Sequence, residues 1–200
     1  MASSGRGPDT RSDAELVTAF KARDLRAFDT LWERHHRSLI NFFFHFSWDK
    51  HVSEECTQEV FLKLYRTLDT YEPQAKFTTF LFKVAKNLWI DKLRAGAADP
   101  KPVSLETPVA FGEERSLKDR VPARADTPVE ILEKKETEAA LRRAIDALPE
   151  EQRLVVVLSE LQGLKYQEIG EILGVPVGTV KSRMFAAVEK LRELLTDQDM

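Results

Sequence analysis

Four residues near the C-terminal end, Thr179, Lys181, Ser182 and Arg183, are of the types that reach base edges and phosphates in duplex DNA. They lie in YQEIGEILGVPVGTVKSRMF, residues 166–185, whose pattern reads as a helix-turn-helix. Gly170 is small where two helices must approach closely. Gly174 can take the positive φ that ends the first helix, and Pro176 stops that helix from continuing. Val180 buries the second helix against the first. Thr179, Ser182 and Arg183 then share one outward face, with Lys181 at its side. That face is at the N-terminal end of the second helix, the part that enters a major groove. A plain amphipathic hairpin has no need of a glycine–proline turn followed by a small polar face. Val177 stands where Ser or Thr would make the better N-cap, and Phe185 and Ala186 reduce the polar surface further along.

Two more polar faces occur in the N-terminal half. Glu55, Gln58 and Glu59 follow an i, i+3, i+4 spacing, so they share one helix face. It points away from an apolar stripe of Cys56, Val60, Leu64 and Leu68. Such a face is either solvated surface or a protein interface, and spacing alone does not decide between them. Lys83, Asn87, Asp91 and Arg94, at intervals of four, four and three, form a second polar stripe flanked by Lys86 and Lys92. Asn is a poor helix former, so Asn87 asks for a functional reason.

Catalytic and metal chemistry find little support. There is no Gly-rich phosphate loop and no G-x-S-x-G nucleophile motif, and no paired-carboxylate site is evident. His35 and His36 are adjacent and point apart on a helix; His45 and His51 flank an expected loop. Cys56 is the only cysteine, which excludes an intrachain disulfide and a Cys-based zinc cluster, and on an apolar stripe it reads as a small buried hydrophobe. No catalytic residue, metal ligand or cofactor is expected.

The elements that must position these faces are helical. Of nine prolines, five lie between Pro100 and Pro128, where Phe111 is the only aromatic residue. That stretch cannot bury much surface or hold a long helix. Residues 1–12 read as a disordered tail, 13–95 as a first helical block, 96–133 as a linker and 134–196 as a second helical block. In the first block Asp13 can cap a helix carrying Leu16, Val17 and Phe20. A second helix shows Leu25, Phe28, Leu31, Trp32, His35, Leu39 and Phe43 at a 3–4 spacing. Ser53 can cap a third. A loop around Pro73 leads to a fourth, starting near Thr78, with Leu81, Val84 and Leu88 inward, Phe82, Ala85, Trp89 and Leu93 beside them, and Gly96 as its C-cap. Three consecutive Phe, Phe42 to Phe44, cannot all face one core. The second block has four helical segments: Glu136 to Leu148, Pro149 to Gly163, Tyr166 to Leu173, and one from about Gly178 with Val180, Met184, Val188, Leu191 and Leu195 inward.

The 200 residues suffice for two small domains, 42% hydrophobic and 32% charged, as expected of a folded soluble chain. A formal net charge of −3 argues against a non-specific DNA coat, but not against local basic faces. No apolar run approaches a membrane span, and residues 1–12 lack the apolar stretch of a secretory signal. A reducing cytoplasm and a monomer are expected.

The stretch LPEEQRLVVVLSELQGLKYQEIGEIL followed by GVPVGTVKSRM resembles region 4 of the sigma-70 family, especially its extracytoplasmic-function group. Independently, ECTQEVFLKLYRTLDTYEPQAKFTTFLFKVAKNLWIDKLR resembles region 2 of that group. The matches span roughly residues 12–95 and 135–195, in the family's order, with no room for a helical domain between. The resemblance implies an all-α protein of two domains joined by a flexible linker. It implies a sigma factor that binds core RNA polymerase, directs it to promoter DNA at −10 and −35 elements, and promotes melting. Glu55, Gln58 and Glu59 match positions that bind the polymerase clamp helices. Asn87 matches an Asn lining the pocket for a flipped −10 base, with the loop Asp69 to Lys76 completing it. Tyr71, Lys76, Lys83 and Asn87, with Asp91 and Arg94 on the same stripe, supply the aromatic, amide and cationic groups that an unstacked base and its backbone need. Thr179, Lys181, Ser182 and Arg183 match the −35 reader. An anti-sigma protein is a further partner that the family implies. Phe80 stands where the family commonly has Trp, a conservative core exchange, and Phe185 and Ala186 depart from a more basic pattern. The other readings are a helix-turn-helix regulator binding duplex DNA without polymerase, which has no use for the faces of the first block, and a nucleic-acid-processing enzyme, which lacks a metal or nucleotide site.

Overall fold

The computed structural model describes residues 9–68, 71, 75–98 and 139–196, with the backbone alone at 97 and 98. The described residues are helical and contain no strand. In order they are α1 (Asp13–Lys21), α2 (Leu25–Ser47), α3 (Lys50–Thr67), α4 (Phe77–Ala98), α5 (139–146), α6 (Glu150–Val156) continuing into a π turn (Val157–Leu161), α7 (Tyr166–Leu173) and α8 (Val177–Thr196). Helices α1 to α4 form one bundle, in which α2 packs on α1 and α3, and α3 on α4. The second domain packs α6 and α7 on α8. Most of the expected linker, 99–133, lies outside the described residues, as do residues 1–8.

Two helix starts are set by different residues from those expected. Ser12, not Asp13, caps α1: its hydroxyl accepts from the Glu15 amide at 3.3 Å, and the Glu15 carboxylate accepts from the Ser12 amide at 2.6 Å. This reciprocal pair satisfies two otherwise unpaired donors. Asp9 to Ser12 therefore belong to the fold: Arg11 bonds Asp9 at 2.6 Å and Asp24 at 3.0 Å. Asp49, not Ser53, caps α3, accepting from the Val52 amide at 3.0 Å. Ser53 is buried one turn inside and donates to the Asp49 carbonyl at 2.6 Å. Gly96 does not end α4, which runs on to Ala98.

The aromatic run on α2 divides as helix geometry requires. Phe42, Phe43 and Phe46 are buried, while Phe44 is only partly so. Phe42 meets Phe82 of α4 at 5.5 Å between ring centres, and Phe46 meets Trp89 at the same distance. Each such pair adds about 0.5–1.5 kcal/mol beyond the area it buries. The core stripes otherwise hold as expected, except that Leu25, Leu93, Leu141, Leu161, Val188 and Leu195 are exposed. The last two lie on the half of α8 that runs beyond Ala187, the final buried residue of that helix.

Asp13 is freed from capping for another task. Its carboxylate accepts from His35 Nε2 at 2.8 Å and from Arg34 at 2.9 Å, tying α1 to α2. The His35 bond, then the Arg34 bond, holds this carboxyl below the usual aspartate range. A carboxyl depressed by folding stabilises the fold at pH above its unfolded value, about 3.9, and that support is lost as pH falls through this range. Asp13→Asn should therefore lower the melting temperature at neutral pH and reduce the loss of stability between about pH 5 and pH 3. Parallel pH-dependence of the two proteins in thermal denaturation would show that Asp13 contributes nothing.

Candidate nucleic-acid and polymerase interfaces

The helix-turn-helix is built by local chemistry. Gly174 ends α7 at φ 71°, with its amide bonding the Gly170 carbonyl. The Val175 amide donates to the same carbonyl at 3.0 Å. Pro176 follows, and its carbonyl accepts the Thr179 amide at 2.9 Å to start α8. Gly170 is required by space: a Cβ there would lie 2.9 Å from the Val175 carbonyl oxygen. The close approach is thus to the turn's own backbone, more specific than the helix–helix contact expected.

On α8, Lys181 and Ser182 are exposed, and Thr179 and Arg183 are half-buried. Ser182 donates to the Thr179 carbonyl at 3.0 Å. Arg183 is not an unpartnered cation, since it pairs with Glu151 at the start of α6 at 2.5 Å. Phe185 is 70% exposed immediately beyond this face. Val180, Met184 and Ala187 are the buried side of the helix, so the outward face expected from spacing is the face observed.

On α4, Lys83, Asn87, Asp91 and Arg94 are all exposed and follow one stripe. Leu81, Phe82, Ala85, Leu88 and Trp89 are buried opposite. Tyr71 lies flat against Phe80, ring centres 4.0 Å apart and planes 20° apart, and burial raises its phenol. Its hydroxyl is 3.4 Å from the Ala75 carbonyl. This stack gives Phe80 a definite role, an aromatic floor that orients Tyr71. Lys76 lies just before α4 and pairs with Glu168 of α7 at 2.9 Å. Lys86 is lowered by burial and by neighbouring Lys83.

On α3, Glu55 and Gln58 are exposed, while Glu59 is half-buried and accepts from Lys92 of α4 at 2.6 Å. Glu59 therefore joins two helices as well as facing outward. Beside Gln58 an open apolar groove runs between α2 and α3, lined by Phe28, Trp32, Phe61, Leu62 and Tyr65. Leu62 and Tyr65 are exposed. The spacing of 28 to 32 and 61 to 65 placed these residues on common faces, but the stripe Cys56–Val60–Leu64 drew the reading to the other side of α3. Cys56 is buried, and burial pushes its thiol up to about 11, away from thiolate chemistry. His36 stacks on Trp32 at 5.5 Å. Among the described residues no group of three His, Cys, Asp or Glu could hold a metal ion, and no helix is long and apolar enough to cross a membrane.

A four-helix bundle with an exposed polar stripe, followed by a helix-turn-helix domain, has the layout of an all-helical DNA-binding protein. The profile described as Sigma-70 region 2 matches residues 31–98, and Sigma-70, region 4 matches residues 138–191. Over 185 residues the chain is 31% identical to the RNA polymerase sigma-H factor of Pseudomonas aeruginosa, covering 92% of this chain and 93% of that one. It is 35% identical over 147 residues to the ECF RNA polymerase sigma factor SigW of Bacillus subtilis, covering 74% and 77%. The solved CnrH, in complex with the cytosolic domain of CnrY, shares the fold at a TM-score of 0.67 and 23% identity, over 95% of this chain and 100% of that one. The chain belongs to the sigma-70 family, in its extracytoplasmic-function group. It is a promoter-specific sigma factor, a transcription initiation factor that binds RNA polymerase.

Gly170→Ala should destabilise the second domain by about 1–3 kcal/mol, because the atom met by the new methyl is backbone and cannot rotate away. Thermal denaturation reads this directly. An unchanged melting temperature would mean that the turn shifts freely and that Gly170 is not needed for it.

Proposed function

We propose that this sigma factor uses three separate surfaces. The exposed face of α3, Glu55, Gln58 and Glu59 with the adjoining apolar groove, docks core RNA polymerase. The stripe Lys83, Asn87, Asp91 and Arg94, with Tyr71 and Lys76 before it, holds a base extruded from the −10 element. Thr179, Lys181, Ser182 and Arg183 read the −35 element in the major groove. The observation that carries this reading is the order of two exposed polar faces on two helical domains, coinciding with the region 2 and region 4 matches. A stand-alone duplex-binding regulator leaves the first domain without a purpose. The protein acts in the cytoplasm, is monomeric when free, and performs no catalysis of its own. The sigma factor RpoE of Bartonella quintana was solved in complex with the anti-sigma factor NepR, and the shared fold, at a TM-score of 0.60, supports an anti-sigma protein as a further partner here.

The polymerase surface is tested by a charge swap. Glu59→Lys alone sets two cations together, whereas Glu59→Lys with Lys92→Glu restores the pair inside the bundle. The swapped protein should melt like the parent yet bind core polymerase about tenfold more weakly, as reversal of an interface charge does. A folded swap variant with parental affinity would leave Glu59 a purely structural group.

Promoter melting is tested at Asn87. A flipped base costs a few kcal/mol, which a pocket must offset. Asn87→Ala should bind core polymerase normally yet form open complex roughly tenfold less well on duplex promoter, with partial recovery on a premelted −10 template. Permanganate footprinting distinguishes the outcomes, and normal strand opening on the duplex would move the pocket to Tyr71 and its loop.

A further inference from the structure

The polar stripe of α4 continues into an aromatic residue. Phe80, Lys83 and Asn87 follow an i, i+3, i+7 spacing, so they share one face of the helix. Phe80 and Asn87 are two turns apart, about 10.5 Å along the axis. The Phe80 amide donates to the Lys76 carbonyl at 3.2 Å, which sets Lys76 one turn before the ring, as Lys83 is one turn after it. Leu81, Ala85 and Leu88, on the other side of the helix, are buried, whereas Phe80 is only half-buried. Its ring meets Tyr71, centres 4.0 Å apart and planes 20° apart. Aromatic side chains ordinarily pair at about 4.5–7 Å, offset or edge to face. In the same bundle Phe28–Phe61, Phe28–Tyr65 and Phe42–Phe82 are edge-on. A flat contact this close has the geometry of one base on another. Tyr71 is also base-like in carrying a hydrogen-bonding group on its ring edge, and its hydroxyl donates to the Ala75 carbonyl at 3.4 Å. A gap of 4.0 Å holds no third ring, so the covered face of Phe80 is closed to any other stacking partner while Tyr71 is in place.

We infer that Tyr71 is a stand-in for an extruded base: its ring keeps the stacking face of Phe80 covered, and the base displaces it. This rests on the assignment of α4 to the −10 element and refines the part of Tyr71 in that site. Phe80 then becomes a nucleotide-binding residue, with Lys83 beside it for a phosphate and Asn87 for the base edge. Displacement needs only a side-chain rotation of Tyr71 between staggered wells. Stacking on an aromatic side chain is the ordinary way a protein holds an unstacked base. Here it replaces a stack already made, so the exchange gains less than stacking on a bare ring. The tyrosine lowers occupancy by every base alike. A base that lacks the bonds to Asn87 no longer fills the pocket, and one that makes them still does.

The test uses holoenzyme reconstituted from core RNA polymerase and the full chain. The probe is single-stranded DNA of the non-template −10 segment of a promoter that this holoenzyme transcribes, with affinity read by fluorescence anisotropy. Tyr71→Ala should tighten binding about two- to tenfold, the range set by loss of one aromatic pair. Tyr71→Phe retains the ring and should bind like the parent. Phe80→Leu keeps the position apolar and should weaken binding about fivefold or more, as removal of a stacking ring does. In the Phe80→Leu background, Tyr71→Ala should no longer tighten binding. Unchanged or weaker binding by Tyr71→Ala overturns the inference, because the ring would then be idle or would itself hold the base. A gain that persists in the Phe80→Leu background overturns it too, because the covered face would not be the one on Phe80. Asn87→Ala keeps the two claims apart. If it weakens binding while Tyr71→Ala does not tighten it, the −10 assignment stands and the stand-in falls. If Asn87→Ala and Phe80→Leu both bind like the parent, the −10 assignment falls and the stand-in with it.

Discussion

Burial of the C-terminal half of α2 is the constraint on which the remaining geometry depends. Phe42, Phe43 and Phe46 present aromatic surface to α4, where Phe82 and Trp89 receive it. Large, stiff rings leave α4 few ways to rotate, because a turn about its axis would expose Trp89 or bury a charge. The polar stripe through Asn87 is outward for that reason. Helix α2 ends at Trp48, so the element that orients the polar stripe of α4 also carries the ring bonded to Asp146. A shift in α2 would be felt at both places, since close-packed cores transmit displacement without absorbing it.

How much was legible in the sequence depended on the range of the interaction. The bounds of α7, the turn at Gly174 and the outward face of α8 follow from residues within a few positions of one another, and spacing predicted them. Cap choice failed where two capable residues were close together. Ser12 and Asp13 can both cap, and the winner was the one whose partner, Glu15, stands three residues on; Asp13 was drawn away by His35, 22 residues distant. Ser53 was a plausible cap by type, but its burial required a hydroxyl partner inside the helix. Periodicity also placed Val188 and Leu195 inward, although both are exposed and Leu191 between them packs on the core. An apolar stripe says which side of a helix is available for burial, not how far along a neighbour reaches.

The ion pairs that modify the candidate sites were beyond sequence reasoning altogether. Glu59 and Lys92 are 33 positions apart, and Arg183 and Glu151 stand on different helices, α8 and α6. Neither pairing has a local signature. Each changes what a site residue can do. Arg183 arrives at its proposed phosphate already paired with Glu151, so contact with DNA exchanges one anion for another and gains less than binding by an unpaired cation. Glu59 likewise brings to its proposed polymerase contact a charge partly satisfied by Lys92.

This pattern of pairing explains how a chain of net charge −3 can be a DNA-binding protein. Lys76, Lys92, Arg183, Lys190 and Arg192 each have a carboxylate neighbour, which lowers the field they project. Affinity for DNA grows with the number of phosphates neutralised, so each cation already paired weakens binding by the sigma factor alone. Weak binding suits a factor whose work requires RNA polymerase. Promoter contacts become effective once the polymerase holds both domains near the duplex, because the second contact is then made at high local concentration. A strongly basic chain would bind DNA anywhere and would compete with its own recruitment. The acid–base pairs on α4, α6 and α8 lower non-specific attraction, and the two helical domains hold outward the small polar faces proposed to select a promoter.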